Sequence, residues 1–255
     1  MEEFGNYNIE SSKMIGSGTF GVVHEVKVYN KSKTCMTSFA RKCFSPSYNP
    51  EKEELLELRE RFNREVKFQA SCFHPNIVHI CMYDLSAEKP WFIMELAESS
   101  LEEVLQSDDC VEGSRKLSEL EKVNIFKMIL SGVNYMHNKG LLHRDLKPLN
   151  ILKFADGIFK ISDFGLVKNL NSDSTPLTQI GQQIGTTKYM APEIQSGGNY
   201  TISSDIYAIG VILEELTLSE RYEHIITKCT DRRPTKRYAS VQEIINDVNS
   251  IGESE

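Results

Sequence analysis

The sequence predicts an α+β fold whose N-terminal part is rich in strands and whose larger C-terminal part is mainly helical. Runs of β-branched and aromatic residues between turn signals come before residue 95, at 22–29, 38–44, 77–82 and 91–94. Stretches with helical periodicity dominate the chain after residue 100. With 255 residues, of which 40% are apolar, the chain can bury a sizeable core as one large domain or as two lobes.

The charge balance argues against several functions. The chain has 29 basic and 36 acidic residues, a net charge of −7, so we expect no nucleic acid and no membrane as partner. Its first residues are acidic where a secretory signal is basic, and no run approaches the roughly eighteen apolar residues of a membrane span. We therefore expect a soluble, intracellular, cytoplasmic protein, with a nuclear location left open. The sequence predicts no particular oligomeric state.

The six cysteines are scattered without a Cys-x-x-Cys pair. This spacing favours reduced, mostly buried thiols over a disulfide framework or a zinc site.

A glycine-rich stretch begins the strand-rich part, with Gly16, Gly18 and Gly21 ahead of the strand at 22–29. Glycines let a backbone approach phosphates closely and present its N–H groups to them. The motif alone is unspecific, because dinucleotide-binding folds and simple hairpin turns also contain it. Since β-branched residues continue after it, we expect a β-hairpin lid over a nucleotide and not a helix start.

The next two elements are a strand at 38–44 and a helix at 51–71. The strand carries Lys42, and a lone lysine on a strand is ordinarily solvated surface. The helix follows Pro50, and most of its charges form a solvated face. Its apolar face is predicted at Leu55, Leu58, Phe62, Val66 and Gln69.

Four elements precede the most informative segment. Strands at 77–82 and 91–94 flank a turn at 87–90, and a short helix is predicted at 101–106. Ser118 and Glu121 form a capping-box pattern before a largely apolar helix, which Gly140 ends.

Residues 143–150 read His-Arg-Asp-Leu-Lys-Pro-Leu-Asn, and residues 163–165 read Asp-Phe-Gly. Two short apolar strands at 151–154 and 158–161 lie between them, joined by an Asp-Gly turn that predicts a hairpin. The hairpin would bring Asn150 and Asp163 to one site. A lone carboxylate is more commonly solvated or a helix cap, but these residue types suit phosphoryl transfer, which needs a base and metal ligands.

Together these segments resemble the protein kinase family. Residues 143–150 reproduce its catalytic-loop pattern without a mismatch, 163–165 match its metal-binding triplet, and Ala191-Pro192-Glu193 closes the segment that follows. The resemblance covers residues 9–251. It implies the bilobal protein kinase fold, with a small β-rich N-lobe at 1–94 and a hinge and larger helical C-lobe at 95–255.

The resemblance also implies the reaction and its residues. It implies transfer of the γ-phosphoryl group of ATP to Ser/Thr hydroxyls of protein substrates, with Mg2+, or alternatively Mn2+, as the metal. We expect the two parts of the chain to meet around one metal-bound triphosphate. The implied residues are Asp145 as base, Lys147 beside it, Lys42 on the phosphates, Glu65 holding Lys42, and Asn150 and Asp163 on the metal.

A nucleotide pocket is implied by alignment to the family alone. In it Met94 lies behind the adenine and the backbone at 95–97 reads the adenine edge, whereas Met94 by itself would be ordinary core. The implied pocket residues are Ile15, Gly16, Gly18, Gly21, Val23, Ala40, Lys42, Met94, Glu95, Ala97 and Leu152.

Several further roles follow from the same resemblance. Lys147, with Gly185 and Thr186, is similar to the serine/threonine-specific branch, in which Thr186 would help to position the acceptor hydroxyl. His143 is expected to pack against Phe164 without a catalytic role. A buried helix from Asp205 to Gly210 should anchor the catalytic loop, and Arg237 should pair with Glu193.

The segment 163–193 is a candidate for regulation. A phosphate on Thr175 or Thr178, or less favourably on Ser172 or Ser174, could pair with Arg144 and order it. A flexible loop without a regulatory role is an equally open alternative.

Two features depart from the family. Gln69 is polar where the family has an apolar residue, which predicts a less secure active arrangement. The interval 211–236 lacks the family helix that helps to dock substrates. A pseudokinase that acts as a binding scaffold, or a small-molecule kinase with this fold, is therefore the alternative to a protein kinase.

Overall fold

The computed structural model describes residues 1–18, 21–110, 116–170 and 187–252. The chain forms two units. The first consists of Met1–Phe73 and Val78–Ala97, and the second of His74–Ile77 and Glu98–Glu255.

The first unit is built on one antiparallel sheet with the strand order β1-β2-β3-β4-β6-β5. The strands predicted at 22–29, 38–44 and 91–94 are confirmed as β3, β4 and β6. The strand predicted at 77–82 begins later, since Ile77 belongs to the second unit and bridges Ile161 there. The strands are β1 Glu2–Phe4, β2 Tyr7–Gly18, β3 Gly21–Asn30, β4 Met36–Phe44, β5 Ile80–Asp84 and β6 Trp91–Glu95.

The glycine-rich stretch forms the end of the β2–β3 hairpin, as predicted. Gly18 pairs with Gly21 and Gly16 pairs with Val23. A Cβ atom at Gly21 would lie 2.6 Å from the carbonyl oxygen of Cys43, so only glycine fits where β3 passes β4. The sequence therefore starts a strand here, where a dinucleotide-binding motif would start a helix.

Helix α1, Lys52–Ala70, packs on this sheet and confirms the predicted helix. Phe62 lies at the centre of the contact, with ring centroids 5.6 Å from those of Phe44 and Phe92. Leu55, predicted on the apolar face, is exposed, because the buried face begins one turn later at Leu58.

The second unit is mainly helical. Its central helix α3 starts with the predicted capping box, in which Ser118 Oγ accepts from Glu121 N–H and the Glu121 carboxylate accepts from Ser118 N–H. Helix α2 runs to Cys110, four residues beyond its predicted end at 106. The helices are α2 Leu101–Cys110, α3 Glu119–Asn138, α4 Pro192–Gln195, α5 Ile202–Glu215, α6 Glu223–Cys229 and α7 Val241–Gly252.

Two small sheets complete the second unit. One has the order β10-β9-β7 and contains the predicted hairpin, with Ile151 opposite Ile161. Gly157 has a φ of +77° in the turn, a left-handed conformation that suits glycine. The strands are β7 Ser99–Ser100, β8 Leu141–Leu142, β9 Ile151–Lys153, β10 Phe159–Ile161 and β11 Lys168–Asn169, and β11 pairs with β8.

The connection between α5 and α6 is short, as the sequence indicated. It contains one 3-10 turn at Glu220–Tyr222. Lys122 donates to Thr217 Oγ1 at 2.9 Å, and Ser219 donates to the Glu119 carboxylate at 2.6 Å. The connection is thereby fastened to the first turn of α3.

The cysteines whose side chains the structure describes are Cys35, Cys43, Cys72, Cys81 and Cys229, and they are not all buried. Cys72 and Cys229 are buried, whereas Cys35 and Cys81 are exposed because they lie in a turn and on the outward side of the edge strand β5. In the part of the chain that the structure describes, no helix combines the length and apolar character needed to cross a membrane.

Candidate active site

In the first unit, Lys42 of β4 and Glu65 of α1 form an ion pair. The Lys42 Nζ lies 2.6 Å from a carboxylate oxygen of Glu65. The side chains are 17% and 3% exposed, and a buried carboxylate is stable only when it is paired. The pair fixes the ammonium group of Lys42 on one face of the sheet.

The sheet register places several predicted pocket residues on that face. Val23 is directly opposite Lys42, and Ala40 is directly opposite Met94. Cross-strand partners share a face, as do residues two apart on one strand, so these four side chains lie side by side. Ala40 and Met94 are buried, whereas Ile15, near the end of the hairpin, is 42% exposed.

Three further predicted pocket residues are Glu95, Ala97 and Leu152. The Glu95 carboxylate accepts from the His79 N–H at 2.8 Å, so this side chain turns back to the chain preceding β5. Ala97 is the last residue of the first unit, and Leu152 lies in β9 of the second unit. Their roles in binding adenine stay predictions.

In the second unit, Asp205 holds the catalytic loop by its backbone. Its carboxylate accepts from the N–H groups of His143 and Arg144, each at 2.9 Å, and lies 2.9 Å from His137 Nε2. Burial alone would raise the pKa of Asp205, but the contact with His137 and the other polar neighbours hold it below the ordinary value. Asp205 therefore stays a carboxylate inside the unit. The predicted anchoring of the catalytic loop by this helix is confirmed.

Asp145 is positioned by two side chains from the same loop. Lys147 Nζ lies 2.9 Å from Asp145 Oδ2, and the Asn150 amide donates to the same oxygen at 3.0 Å and to the Asp145 carbonyl at 2.8 Å. Among the described residues, no group donates to Asp145 Oδ1. That oxygen can accept a proton from another molecule.

The β9–β10 hairpin returns the chain to this loop. Ser162 donates its N–H to the carbonyl of Asn150 at 2.8 Å, so Asn150 and Asp163 lie at the same end of the hairpin. Asp163 has a φ of +60°, and its carboxylate accepts from Gly165 N–H at 3.3 Å. The predicted convergence of these two residues is thus confirmed, although their action on a metal stays a prediction.

His143 packs against Phe164, as predicted. It is fully buried, its Nε2 lies 3.0 Å from the Ser162 carbonyl, and its ring meets that of Phe164 edge-on at 5.8 Å.

The oxygen atoms at this end of the hairpin are suitable ligands for a magnesium ion. Both hydrogen bonds that the Asn150 side-chain N–H groups donate go to Asp145, and no described residue donates to the amide oxygen of Asn150. Magnesium prefers oxygen ligands and is commonly bound by one or two protein groups together with phosphates. Among the described residues, no group of three or more His, Cys, Asp or Glu side chains is arranged to hold a metal ion.

The protein kinase domain family matches residues 9–228 of the chain. The chain belongs to the protein kinase family. It is 30% identical over 220 residues to a kinase of Lactococcus lactis, the probable serine/threonine-protein kinase PknB, covering 74% of this chain and 34% of that protein. It is 31% identical over 206 residues to serine/threonine-protein kinase 36 of Mus musculus, covering 81% of this chain and 14% of that protein. It is 38% identical over 211 residues to cyclin-dependent kinase F-3 of Oryza sativa, covering 80% of this chain and 43% of that protein. The chain thus spans less than half the length of each of these relatives.

The predicted pairing that closes the activation segment of this protein kinase is confirmed. Arg237 donates to both carboxylate oxygens of Glu193, at 2.7 and 2.8 Å. Burial would raise the pKa of Glu193, but the hydrogen bonds and charge of Arg237 hold it below its ordinary value. The four candidate phosphorylation residues, Gly185 and Thr186 lie outside the described residues.

Arg144, the predicted phosphate partner, stacks on Tyr200 with the guanidinium carbon 4.3 Å from the ring centroid. Burial lowers the pKa of Arg144 from its ordinary value. The pairing of this arginine with a phosphate stays a prediction.

Sequence reasoning missed two groups of this kinase domain. His137, the partner of Asp205, lies in the last turn of the largely apolar helix α3. A polar residue at that position was the only sequence feature that pointed to a buried partner. Tyr189 donates to the Glu215 carboxylate at 2.9 Å, and Lys188 pairs with the same carboxylate. These contacts join the end of the activation segment to α5, and no sequence pattern indicated them.

Proposed function

We propose that this chain transfers the γ-phosphoryl group of ATP to serine and threonine hydroxyls of protein substrates. The arrangement of Asp145 carries the proposal, because one carboxylate oxygen is held by Lys147 and Asn150 while the other has no donor among the described residues. Membership of the protein kinase family and the names of the similar proteins support it.

Asp145 would orient the acceptor hydroxyl and take up its proton. Lys147 and Asn150 restrict the rotation of the Asp145 side chain, so the carboxylate is oriented before the substrate arrives. Asn150 and Asp163 would hold Mg2+ through oxygen atoms. A bound magnesium ion supplies positive charge that neutralises the phosphates.

Lys42 would neutralise phosphate oxygens of the nucleotide, and Glu65 would keep its ammonium group in place. The glycine-rich hairpin would present backbone N–H groups to the same phosphates. The action of these groups with Asp145 on a single nucleotide stays a prediction.

The proposed specificity for serine and threonine rests on Lys147, at which tyrosine kinases usually differ. We also propose that the chain acts in the cytoplasm, with proteins as partners and neither nucleic acid nor membranes. Regulation through the segment 163–193 belongs to the same proposal.

The test is incubation of the chain with radiolabelled ATP, Mg2+ and a mixed protein extract, followed by phosphoamino-acid analysis. We expect phosphoserine and phosphothreonine, and losses of roughly 10²–10⁴-fold for Asp145→Asn and Lys42→Ala. Matched controls are Asp156→Asn, in the exposed hairpin turn, and Lys13→Ala, whose side chain is 72% exposed.

Phosphotyrosine as the product, or labelling that survives Asp145→Asn, would contradict the proposal. Nucleotide binding without transfer would favour the binding-scaffold alternative. Labelling of small molecules alone would indicate a small-molecule kinase.

A further inference from the structure

Helix α1 is anchored near its middle by Arg59. The guanidinium of Arg59 donates to the carbonyls of Ala87 at 2.7 Å, Glu88 at 3.1 Å and Leu85 at 3.5 Å. These carbonyls belong to the turn between β5 and β6. A planar guanidinium can bind several carbonyls at once, whereas a lysine ammonium is a compact group on a flexible stem.

The turn that Arg59 grips is itself closed by hydrogen bonds. The Asp84 carboxylate accepts from the N–H of Ser86 at 2.9 Å, from its hydroxyl at 2.7 Å and from the N–H of Ala87 at 3.1 Å. Arg59 therefore binds a preformed set of carbonyls.

The C-terminal end of α1 is anchored by Gln69. This side chain is 1% exposed, and its amide donates to the carbonyl of Val78 at 2.9 Å, just ahead of β5. A buried carbonyl that loses its donor is unfavourable, so this hydrogen bond resists displacement of the helix. Arg59 and Gln69 thus fasten α1 to the two ends of β5.

Glu65 lies between the two anchors, one turn before Gln69. Residues four apart share a helix face, so a shift or rotation of α1 that withdraws Glu65 from Lys42 would also move Gln69 from Val78. The apolar residue usual at this position in the family could fill the space but could not make this bond.

We propose that Arg59 and Gln69 are positioning residues that hold α1 where Glu65 pairs with Lys42. This inference rests on the proposed phosphoryl-transfer function for its effect on rate. It reverses the expectation from the sequence, in which the polar Gln69 weakens the active arrangement. The two views predict opposite outcomes for Gln69→Leu.

The first measurement is hydrogen exchange of the backbone amides of residues 60–70 without nucleotide. Gln69→Leu should raise their exchange roughly tenfold, in line with the loss of one donor to a buried carbonyl, and leave β2 and β3 unchanged. Arg59→Lys should raise it roughly threefold. Glu60→Gln, an exposed change on the same helix, is the control. This measurement decides the anchoring even if the chain transfers no phosphate.

The second measurement is kcat, compared between the natural chain and a Glu65→Gln background. Gln69→Leu should lower kcat roughly tenfold in the natural chain and leave it unchanged where Glu65 is already replaced. Gln69→Leu should not raise kcat in either background.

Three results would overturn the inference. The first is unchanged or higher kcat together with unchanged exchange in Gln69→Leu. The second is an equal loss of kcat in both backgrounds, and the third is faster exchange throughout the sheet, which would indicate general destabilisation. If Gln69→Leu does not fold, Arg59→Lys decides by the same criteria.

Discussion

The carboxylate of Asp205 accepts a hydrogen bond from the backbone N–H of Arg144 at 2.9 Å. Arg144 has a φ of +70°, a left-handed conformation that is unfavourable for a residue with a long side chain. Asp205 offsets this cost from within α5 and so fixes the backbone immediately before Asp145.

Replacement of this carboxylate tests that relationship. Asp205→Asn keeps one oxygen and cannot serve all three groups that now meet the carboxylate. We expect the free energy of unfolding to fall by ~1–3 kcal/mol, the typical cost of an unsatisfied buried polar group, and kcat to fall with it. Urea denaturation measures the first effect, with Asp156→Asn as the control. Unchanged stability would mean that the loop holds its conformation without Asp205.

The proposed role of the Asn150 amide oxygen as a magnesium ligand predicts that replacing Asn150 weakens the response of the activity to Mg2+. Asn150→Ala removes a ligand and also one of the two groups that orient Asp145. We expect the Mg2+ concentration for half-maximal activity to rise and kcat to fall, each by roughly tenfold. Titration of initial rates with Mg2+ checks this, beside Asn138→Ala at the exposed end of α3. An unaltered Mg2+ requirement would remove Asn150 from the metal site.

The close packing around Gly210 predicts that a larger residue there lowers the stability of the fold without touching the proposed catalytic residues. A Cβ atom there would lie 2.5 Å from Cys229 Cβ and 2.8 Å from Thr230 Cγ2. Overpacking of this kind costs ~1–3 kcal/mol, so Gly210→Ala should lower the Tm by several degrees. Gly18→Ala is the matched control, since its Cβ would have no described atom within 4 Å. Equal Tm values for the two variants would show that α5 and α6 can separate without cost.

The Glu193–Arg237 pair predicts a pH dependence of stability. The pKa of Glu193 lies below its ordinary value of 4.5 in the folded chain. Its stabilising contribution is therefore complete above about pH 4.5 and is lost as the pH falls through the lower, folded-state pKa, because the unfolded chain takes up the proton first.

Glu193→Gln abolishes this titration. The free energy of unfolding of the variant should change less than that of the natural chain as the pH is lowered from about 5 to 3. Urea denaturation at several pH values measures the difference, with the exposed Glu60→Gln as control. Parallel curves for Glu193→Gln and the natural chain would contradict the assignment.

Local sequence signals predicted the local structure well. The capping box at Ser118, the Asp-Gly hairpin and the strand after Gly21 depend on nearest neighbours in the chain, and the structure confirms each of them. The pairings of Lys42 with Glu65 and of Glu193 with Arg237 followed from the family resemblance, since nothing in the local sequence indicates a distant partner.

Some features depend on tertiary contacts that the sequence does not show. The partner of Gln69 is a backbone carbonyl, which no side-chain pattern can reveal, and the effect of Gln69 on the active arrangement stays a prediction. The predicted start of β5 is too early because Ile77 belongs to the second unit, where it pairs with Ile161. The exposure of Leu55 likewise depends on where the packed face of α1 begins.

The direct connection between α5 and α6 has a consequence for protein engineering. Thr217 and Ser219 are both fastened to the start of α3, so a foreign segment spliced between them would begin and end on immobilised residues. Doubling the length of a flexible loop costs only about 0.6 kcal/mol in closure entropy. The connection between α5 and α6 is therefore a suitable place to insert a recognition peptide that directs the domain to a chosen target.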